Sequence, residues 1–188
     1  MGLVPLLLPV VAVAAAALLL MTGRGGAGGV AVAAPAIRRW PVSIYRGAIS
    51  AFGARRTRAD GSARFHAGID LGAFVGDTIL AIDDGEVVSM VSGYSLGAGL
   101  EAVSVRHPDA DYIYAELDVV VSPGDQLRAG DVIGFVKKNS DGNSMLHLEA
   151  WETGTVPDRF TEWTPTSRPL GLLDVGAIVA ELPKESVA

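Results

Sequence analysis

The feature that most constrains this chain of 188 residues is a series of short apolar runs, each closed by a turn signal. From residue 49 to residue 151 the runs recur at intervals of about ten residues and are rich in β-branched side chains. Residues 122–125 (Ser-Pro-Gly-Asp) and 141–143 (Asp-Gly-Asn) are strong turn sites, because Pro fixes φ and Gly permits positive φ. This pattern predicts an all-β domain. Residues 172–182 carry a late helical pattern, which is weak.

An uncharged apolar segment over residues 3–21 precedes the β domain. It is about as long as the shortest helix that spans a bilayer core of roughly 30 Å. We therefore expect one N-terminal apolar helix within residues 1–22 that anchors the chain in a membrane, and the alternative is a cleaved secretory signal. Arg24, Arg38 and Arg39 follow the segment, where the positive-inside rule favours the cytoplasm. The orientation stays open, and a virion membrane would relax this conflict.

The composition divides the rest of the chain into three parts. Residues 23–40 are rich in Gly and Ala and predict a flexible linker. Residues 41–182 form the predicted β domain, which is long enough to bury a core, and residues 183–188 form a tail.

Charge and residue usage exclude several function classes. The chain has 21 acidic residues against 15 basic ones and no basic stripe, so nucleic acid is not an expected partner. The absence of Cys excludes a disulfide framework, a thiolate zinc site and a thiol nucleophile. Any mechanism based on histidine must use one of three candidates: His66, His107 or His147.

Two of these histidines stand in patterns that suit a metal site. His66 and Asp70 lie four residues apart at the start of a strand, and imidazole nitrogen and carboxylate oxygen are both good zinc ligands. This pair alone is weak, because a surface His beside a turn Asp has the same spacing. His147 is the better placed third ligand, since it lies in an alternating strand that puts Met145, His147 and Glu149 on one face.

Residues 49–174 resemble the M23 family of zinc metallopeptidases, the lysostaphin/LytM type of peptidoglycan endopeptidase. The matching stretches occur in the family's order: ISAFGARR, FHAGIDLGAFVGDTILAIDDGEVV, VRHPDADYIYAEL, VSPGDQLRAGDVIGFV, NSDGNSMLHLEAW and RPLGLLD. The resemblance implies a mostly antiparallel β-sheet of the duplicated-hybrid-motif type, with a narrow groove over the metal. It also implies that His66, Asp70 and His147 bind a zinc ion with a fourth position open, which is the catalytic arrangement.

Two positions depart from the family pattern. The first His of the family's HxH motif is Met145 here, and the His of its YAHL stretch is Glu116. A thioether neither takes up a proton nor donates a strong hydrogen bond, so Met145 marks a lost catalytic group. Glu116 is either a general base beside zinc-bound water or a solvated strand residue without a catalytic role. Tyr94 or Tyr114 would supply a hydroxyl if the fold brought either one close.

The remaining candidates have structural interpretations. His107 lies in a turn and is expected to be structural and exposed at the surface. Trp40, Trp151 and Trp163 are expected to pack in the core or at a rim, with a glycan groove as the alternative.

The resemblance therefore implies an exported or membrane-tethered domain at the periplasm or cell surface, directed at peptidoglycan or at a cell-wall enzyme. With both catalytic histidines replaced, we expect impaired or lost endopeptidase activity and a binding, activator or scaffold role. The alternative is an active zinc endopeptidase that uses Glu116 as its base. A weaker alternative is a structural membrane-associated protein of a virion.

Overall fold

Antiparallel strands are the main regular secondary structure in this computed structural model, which describes residues 38–94 and 99–184. The elements are β1 (Ala48–Ser50), β2 (Arg55–Thr57), β3 (Ala63–Phe65), β4 (Ile69–Gly72), β5 (Thr78–Leu80), β6 (Gly85–Met90), β7 (Glu101–Arg106), β8 (Asp111–Val119), β9 (Gln126–Leu127), β10 (Val132–Val136), β11 (Met145–Trp151) and α1 (Val175–Ala180). The prediction of a mostly antiparallel β domain is confirmed. The weak helical pattern near the C-terminus is a short helix, which begins after Asp174 because that side chain accepts a hydrogen bond from the backbone N–H of Ala177.

A nine-stranded sheet organises the domain, and β2 and β3 form a separate two-stranded hairpin. The main path of the sheet runs β1-β4-β11-β8-β7-β6-β9, and β10 pairs with both β8 and β5. Strands β4, β11 and β8 are therefore neighbours, although they are far apart in the sequence. Their central position explains why every residue of β11 is buried.

Both faces of the central strands are covered, and alternate residues enter different clusters. From β8, Tyr112 and Tyr114 join the larger hydrophobic cluster, whereas Ile113 and Ala115 join a smaller one. From β11, Leu146, Leu148 and Ala150 belong to the larger cluster and Trp151 to the smaller one. The odd-numbered residues of β11 thus share the face of the smaller cluster, and this face carries the candidate site.

The predicted N-terminal helix and most of the predicted linker lie outside the described residues. Within 38–94 and 99–184, no helix is long and apolar enough to cross a membrane.

Candidate metal centre and groove

The three predicted metal ligands come together on one face of the sheet. Asp70 in β4 is paired with His147 in β11, and His66 lies just before β4. Oδ1 of Asp70 is 2.8 Å from Nδ1 of His147 and 3.1 Å from Nε2 of His66, and the two nitrogens are 3.1 Å apart. Ligands of a tetrahedral zinc at about 2.0–2.2 Å are roughly 3.3 Å from one another. The triangle therefore needs to open by only a few tenths of an ångström to hold such an ion.

Glu149 fixes the orientation of the His147 ring. Its Oε1 accepts a hydrogen bond of 3.0 Å from Nε2 of His147, and its Oε2 accepts one of 2.9 Å from Nε1 of Trp151. Because the Nε2 proton is directed at a fully buried carboxylate, the lone pair of Nδ1 is left facing Asp70 and His66. Metal-bound histidines commonly have such an outer carboxylate.

Contacts with the backbone and with an arginine fix the orientation of the other two candidate ligands, His66 and Asp70. Nδ1 of His66 donates to the carbonyl oxygen of Ala51 at 2.9 Å, which leaves Nε2 free to bind a metal. Oδ2 of Asp70 accepts a hydrogen bond of 2.6 Å from Nη2 of Arg56. Every ligand thus has its outer atom satisfied by a neighbour and its inner atom directed at the same point. This donor set fits zinc.

The charges of this cluster are strongly coupled. Burial alone would raise the pKa of Asp70, but hydrogen bonds and the charges of His147 and His66 outweigh burial and hold that pKa far below its usual range. Burial would likewise lower the pKa of His147, and the two carboxylates of Asp70 and Glu149 instead raise it to about 10. The site therefore has a strong net preference for a cation between Asp70 and the imidazoles, whether a proton or a metal ion.

A groove of about 430 Å³ lies over the triangle. His66, His147 and Glu116 line it, and so do three arginines from the β2–β3 hairpin and its loop, Arg56, Arg58 and Arg64. Four aromatic side chains, and Glu162, also line the groove; the aromatic residues are Phe65, Tyr94, Phe160 and Trp163. The groove thus combines a metal-type donor set with cationic and aromatic surface, which suits a peptide rather than a purely apolar ligand.

A β-bulge in β8 brings Glu116 into the groove. Ala115 pairs with Ala102 and Leu117 with Glu101, so Glu116 is one extra residue between two adjacent pairs. It adopts a positive φ of 70°, unusual for a residue other than Gly, and Leu117 returns to the larger hydrophobic cluster. A strictly alternating strand would direct Glu116 away from His147; the bulge redirects it. A bulge gives no hydrophobic signal of its own, and the sequence did not predict it.

Glu116 is not the solvated strand residue that the sequence left as one interpretation. Its exposed fraction is 6%, and Nδ2 of Asn139 donates to its Oε2 at 3.3 Å. Burial raises the pKa of Glu116, although the charge of His147 and the bond from Asn139 oppose that rise. A buried carboxylate beside a metal-type site is a candidate proton acceptor.

The structure also locates the remaining candidate catalytic residues, which are Met145, Tyr94 and Tyr114. Met145 begins β11, is buried and pairs with Gly72. Tyr94 lines the groove with its ring centroid 5.8 Å from that of His147. Tyr114 belongs to the larger cluster, and its hydroxyl accepts a hydrogen bond from the backbone N–H of Ile82. Of the two tyrosines, the fold brings only Tyr94 to the site.

The prediction that His107 is exposed is wrong, whereas its structural role is supported. Its exposed fraction is 2%; its Nδ1 lies 2.9 Å from the carbonyl oxygen of Asp84 and its Nε2 lies 2.9 Å from the hydroxyl oxygen of Tyr114. A tight turn after β7 folds the ring inward, and a turn motif alone does not show this. Among the tryptophans, Trp40 and Trp151 are buried, and Trp163 packs between Phe52 and Phe65 at the groove.

Comparisons with known proteins agree with this architecture. Residues 64–159 match the family model described as peptidase family M23. A zinc-containing peptidase from Vibrio cholerae has a similar fold, with a TM-score of 0.53 and 23% identity over 68% of this chain. This chain spans 39% of the length of that peptidase.

Two smaller structures are covered almost completely. The catalytic domain of the antimicrobial peptidase lysostaphin from Staphylococcus simulans has a TM-score of 0.53 and 18% identity, over 71% of this chain and 92% of its own. The structure of LytU has a TM-score of 0.54 and 21% identity, over 74% of this chain and 90% of its own. At these identities the likeness establishes the fold. No curated protein matches the chain.

Proposed function

Because the chain belongs to peptidase family M23, we propose that it holds a zinc ion at His66, Asp70 and His147 and binds peptidoglycan peptides in the adjoining groove. We further propose that its endopeptidase activity is impaired, so that its main role is to bind the cell wall or to activate or scaffold a cell-wall enzyme. Residues 3–21 would tether the domain to the membrane or direct its export, which would place it at the periplasm or the cell surface.

The observation that carries this proposal is the ligand triangle with its completed outer contacts. Each of the three proposed ligands has its outer atom bonded, to Glu149, to the Ala51 carbonyl and to Arg56, which is the outer arrangement that metal ligands commonly have. A bound zinc ion supplies Lewis acidity toward a peptide carbonyl and toward water. The residues of the chain orient the ligands, hold the ligand lone pairs toward one point and line the groove that receives the peptide.

The impairment follows from Met145 and Glu116, which stand where the family is expected to have histidines. A positioned acid or base contributes about 10²–10⁴ to the rate, and an oxyanion donor about 10²–10³. Met145 supplies neither function, because its thioether does not titrate and is no donor. Glu116 provides a proton acceptor but, when ionised, no donor.

Metal analysis and cell-wall assays test the proposal on the full-length protein. We expect about one zinc ion per chain and co-sedimentation with purified peptidoglycan, with slow release of peptides or none. We expect Met145→His together with Glu116→His to raise peptide release at least about 100-fold, because both family groups are restored. Failure to bind zinc or to sediment with peptidoglycan contradicts the proposal, and fast peptide release by the unmodified protein contradicts the impairment.

A second candidate function is supported by the bulge at Glu116. A positive φ in the middle of a strand costs free energy, of order 1–3 kcal/mol, and here it directs a carboxylate into the groove. A carboxylate in the groove that His66 and His147 also line is a candidate general base, so the domain would be an active zinc endopeptidase with Glu116 as the proton acceptor.

Glu116→Gln separates the two functions, with Glu86→Gln, an exposed carboxylate on β6, as the matched control. If Glu116 is the base, peptide release falls by about 10²–10⁴ in Glu116→Gln while zinc content and peptidoglycan binding are retained. If release is slow and equal in all three proteins, the second candidate is excluded and the binding role stands.

A further inference from the structure

Three arginines line the groove, and two of them already have acceptors. Arg56 donates to Oδ2 of Asp70 and to the hydroxyl of Ser50. Arg58 makes two hydrogen bonds to the carboxylate of Glu162. These two guanidinium groups hold the metal site and the groove wall in place.

Arg64 differs from both. It is half-buried in the groove lining, yet its guanidinium has no hydrogen bond or ion pair to any residue within 38–94 and 99–184. It is also directly opposite Arg56 in the register of the β2–β3 hairpin. Like charges directly opposite in an antiparallel pair are destabilising, and a partly desolvated cation without an acceptor adds to that cost. An anion from outside the chain would relieve both.

The position of Arg64 relative to the metal site limits where that anion lies. Neighbouring strands are about 4.8 Å apart, and Arg56, the residue opposite Arg64, contacts the ligand Asp70 directly. An extended peptide advances about 3.3–3.6 Å per residue. An anion at Arg64 would therefore lie within about three residues, along the peptide, of a carbonyl group held at the metal site.

The charge of the whole chain favours this location for an anion. The net charge is −6, whereas residues 55–64 hold four arginines and a single acidic residue, Asp60. The hairpin is therefore a local positive region on an acidic molecule, and a guanidinium binds a carboxylate through two parallel hydrogen bonds.

We propose that Arg64 recognises a free carboxylate of the bound peptide, so that the groove selects peptides with a carboxylate within about three residues of the carbonyl at the metal site. This inference rests on the proposed function, since it assumes that a peptide occupies the groove. It assigns the substrate class: stem peptides with a free carboxyl end rather than amidated ones.

The test uses acetyl-Lys-D-Ala-D-Ala with a free C-terminal carboxylate and the same peptide with a C-terminal amide. Binding of each to the zinc-loaded full-length protein is measured by isothermal titration calorimetry, for the unmodified protein, Arg64→Gln and Arg55→Gln. Arg55 is the control because it lies on the same hairpin and is exposed. Circular dichroism verifies that each variant is folded.

We expect the unmodified protein and Arg55→Gln to bind the acid at least about tenfold more tightly than the amide. In Arg64→Gln we expect this preference to fall to about twofold or less, with the affinity for the amide unchanged. Equal affinities for acid and amide in the unmodified protein overturn the inference but leave the proposed function intact. A preference that survives in Arg64→Gln also overturns it and assigns carboxylate binding to the metal. If neither peptide binds, the proposed function fails, and the inference fails with it.

Discussion

Two buried histidine clusters lie on opposite faces of β8, and they differ in one respect. His147 shares the face of Ala115, and its inner nitrogen is directed at Asp70 and His66. His107 bonds the hydroxyl of Tyr114, which points to the other face, and its second nitrogen bonds the Asp84 carbonyl. Both rings are buried and have hydrogen-bonding partners on both nitrogens, but in the first cluster the inner partners are themselves metal-type donors.

This difference separates a buried histidine that is a candidate metal ligand from one that is not. The partners of His107 are a backbone carbonyl and a tyrosine hydroxyl, which together do not form a metal-binding set. The ring therefore connects two parts of the chain by hydrogen bonds. Around His147 and His66, backbone and carboxylate acceptors take the outer N–H groups, and the remaining lone pairs face a carboxylate. The arrangement of the outer partners, rather than burial, separates the two roles.

The largest expected effect is the loss of metal on substitution of Asp70. We expect Asp70→Ala to reduce zinc affinity by more than about 100-fold, because it removes one proposed ligand of three and leaves Arg56 with the Ser50 hydroxyl but without its carboxylate partner. His107→Ala should retain one zinc ion per chain while it loses stability. The measurement is a zinc titration against a competing chelator. Equal losses of zinc in the two variants would show that the clusters are not functionally distinct.

A smaller effect is expected at Glu149. Glu149→Gln should weaken zinc binding by about 10–100-fold, since an amide offers one acceptor where both His147 and Trp151 donate. The chelator titration measures this loss, and the control is Glu152→Gln on the same segment, which is exposed. Unchanged affinity in Glu149→Gln contradicts the role of Glu149 as the outer partner of His147.

Each histidine cluster is covered by a glycine, which provides a matched pair of variants. A Cβ on Gly68 would lie 2.8 Å from Cε1 of His147, and one on Gly85 would lie 2.7 Å from Nδ1 of His107. Both would also press on a backbone carbonyl oxygen, of Leu148 and Arg106 respectively. We expect Gly68→Ala and Gly85→Ala each to lower the free energy of unfolding by about 1–3 kcal/mol.

The glycine variants should differ in their effect on zinc. Displacement of the His147 ring in Gly68→Ala should weaken zinc binding, whereas Gly85→Ala should leave it unchanged. Urea unfolding and the chelator titration together give both quantities. A loss of zinc affinity in Gly85→Ala would contradict the separation of the two clusters.

The sequence predicted the fold, and which residues meet at the candidate metal site, better than it predicted the surroundings of those residues. Turn residues and alternation indicate strands, and the spacing of His66 and Asp70 with the face of His147 indicates a site. The bulge at Glu116 was not predictable, because one extra residue leaves hydrophobic alternation nearly unchanged. Nor was the inward fold of His107, since its partners come from β8 and from a turn more than twenty residues away. Glu149 had a usable signal: it lies two residues after His147 on the same strand face.

The smallest expected effect concerns the pH dependence of stability, and it arises from the structural histidine. Burial lowers the pKa of His107, although the Asp84 carbonyl and nearby carboxylates oppose that change. Below pH 6.5, which is about the pKa of histidine in an unfolded chain, His107 is protonated in the unfolded chain but stays neutral in the folded one. Stability is therefore lost as the pH falls through 6.5, by up to about 1.4 kcal/mol per pH unit until the folded pKa is reached. Urea unfolding from pH 7.5 to pH 5.5 measures this slope in the unmodified protein and in His107→Gln, and their difference removes the contribution of metal ligands and carboxylates. The difference in the free energy of unfolding should shrink as the pH falls, because only the unmodified protein contains the titrating His107 side chain. A difference that is constant with pH would mean that His107 has an ordinary pKa despite its burial.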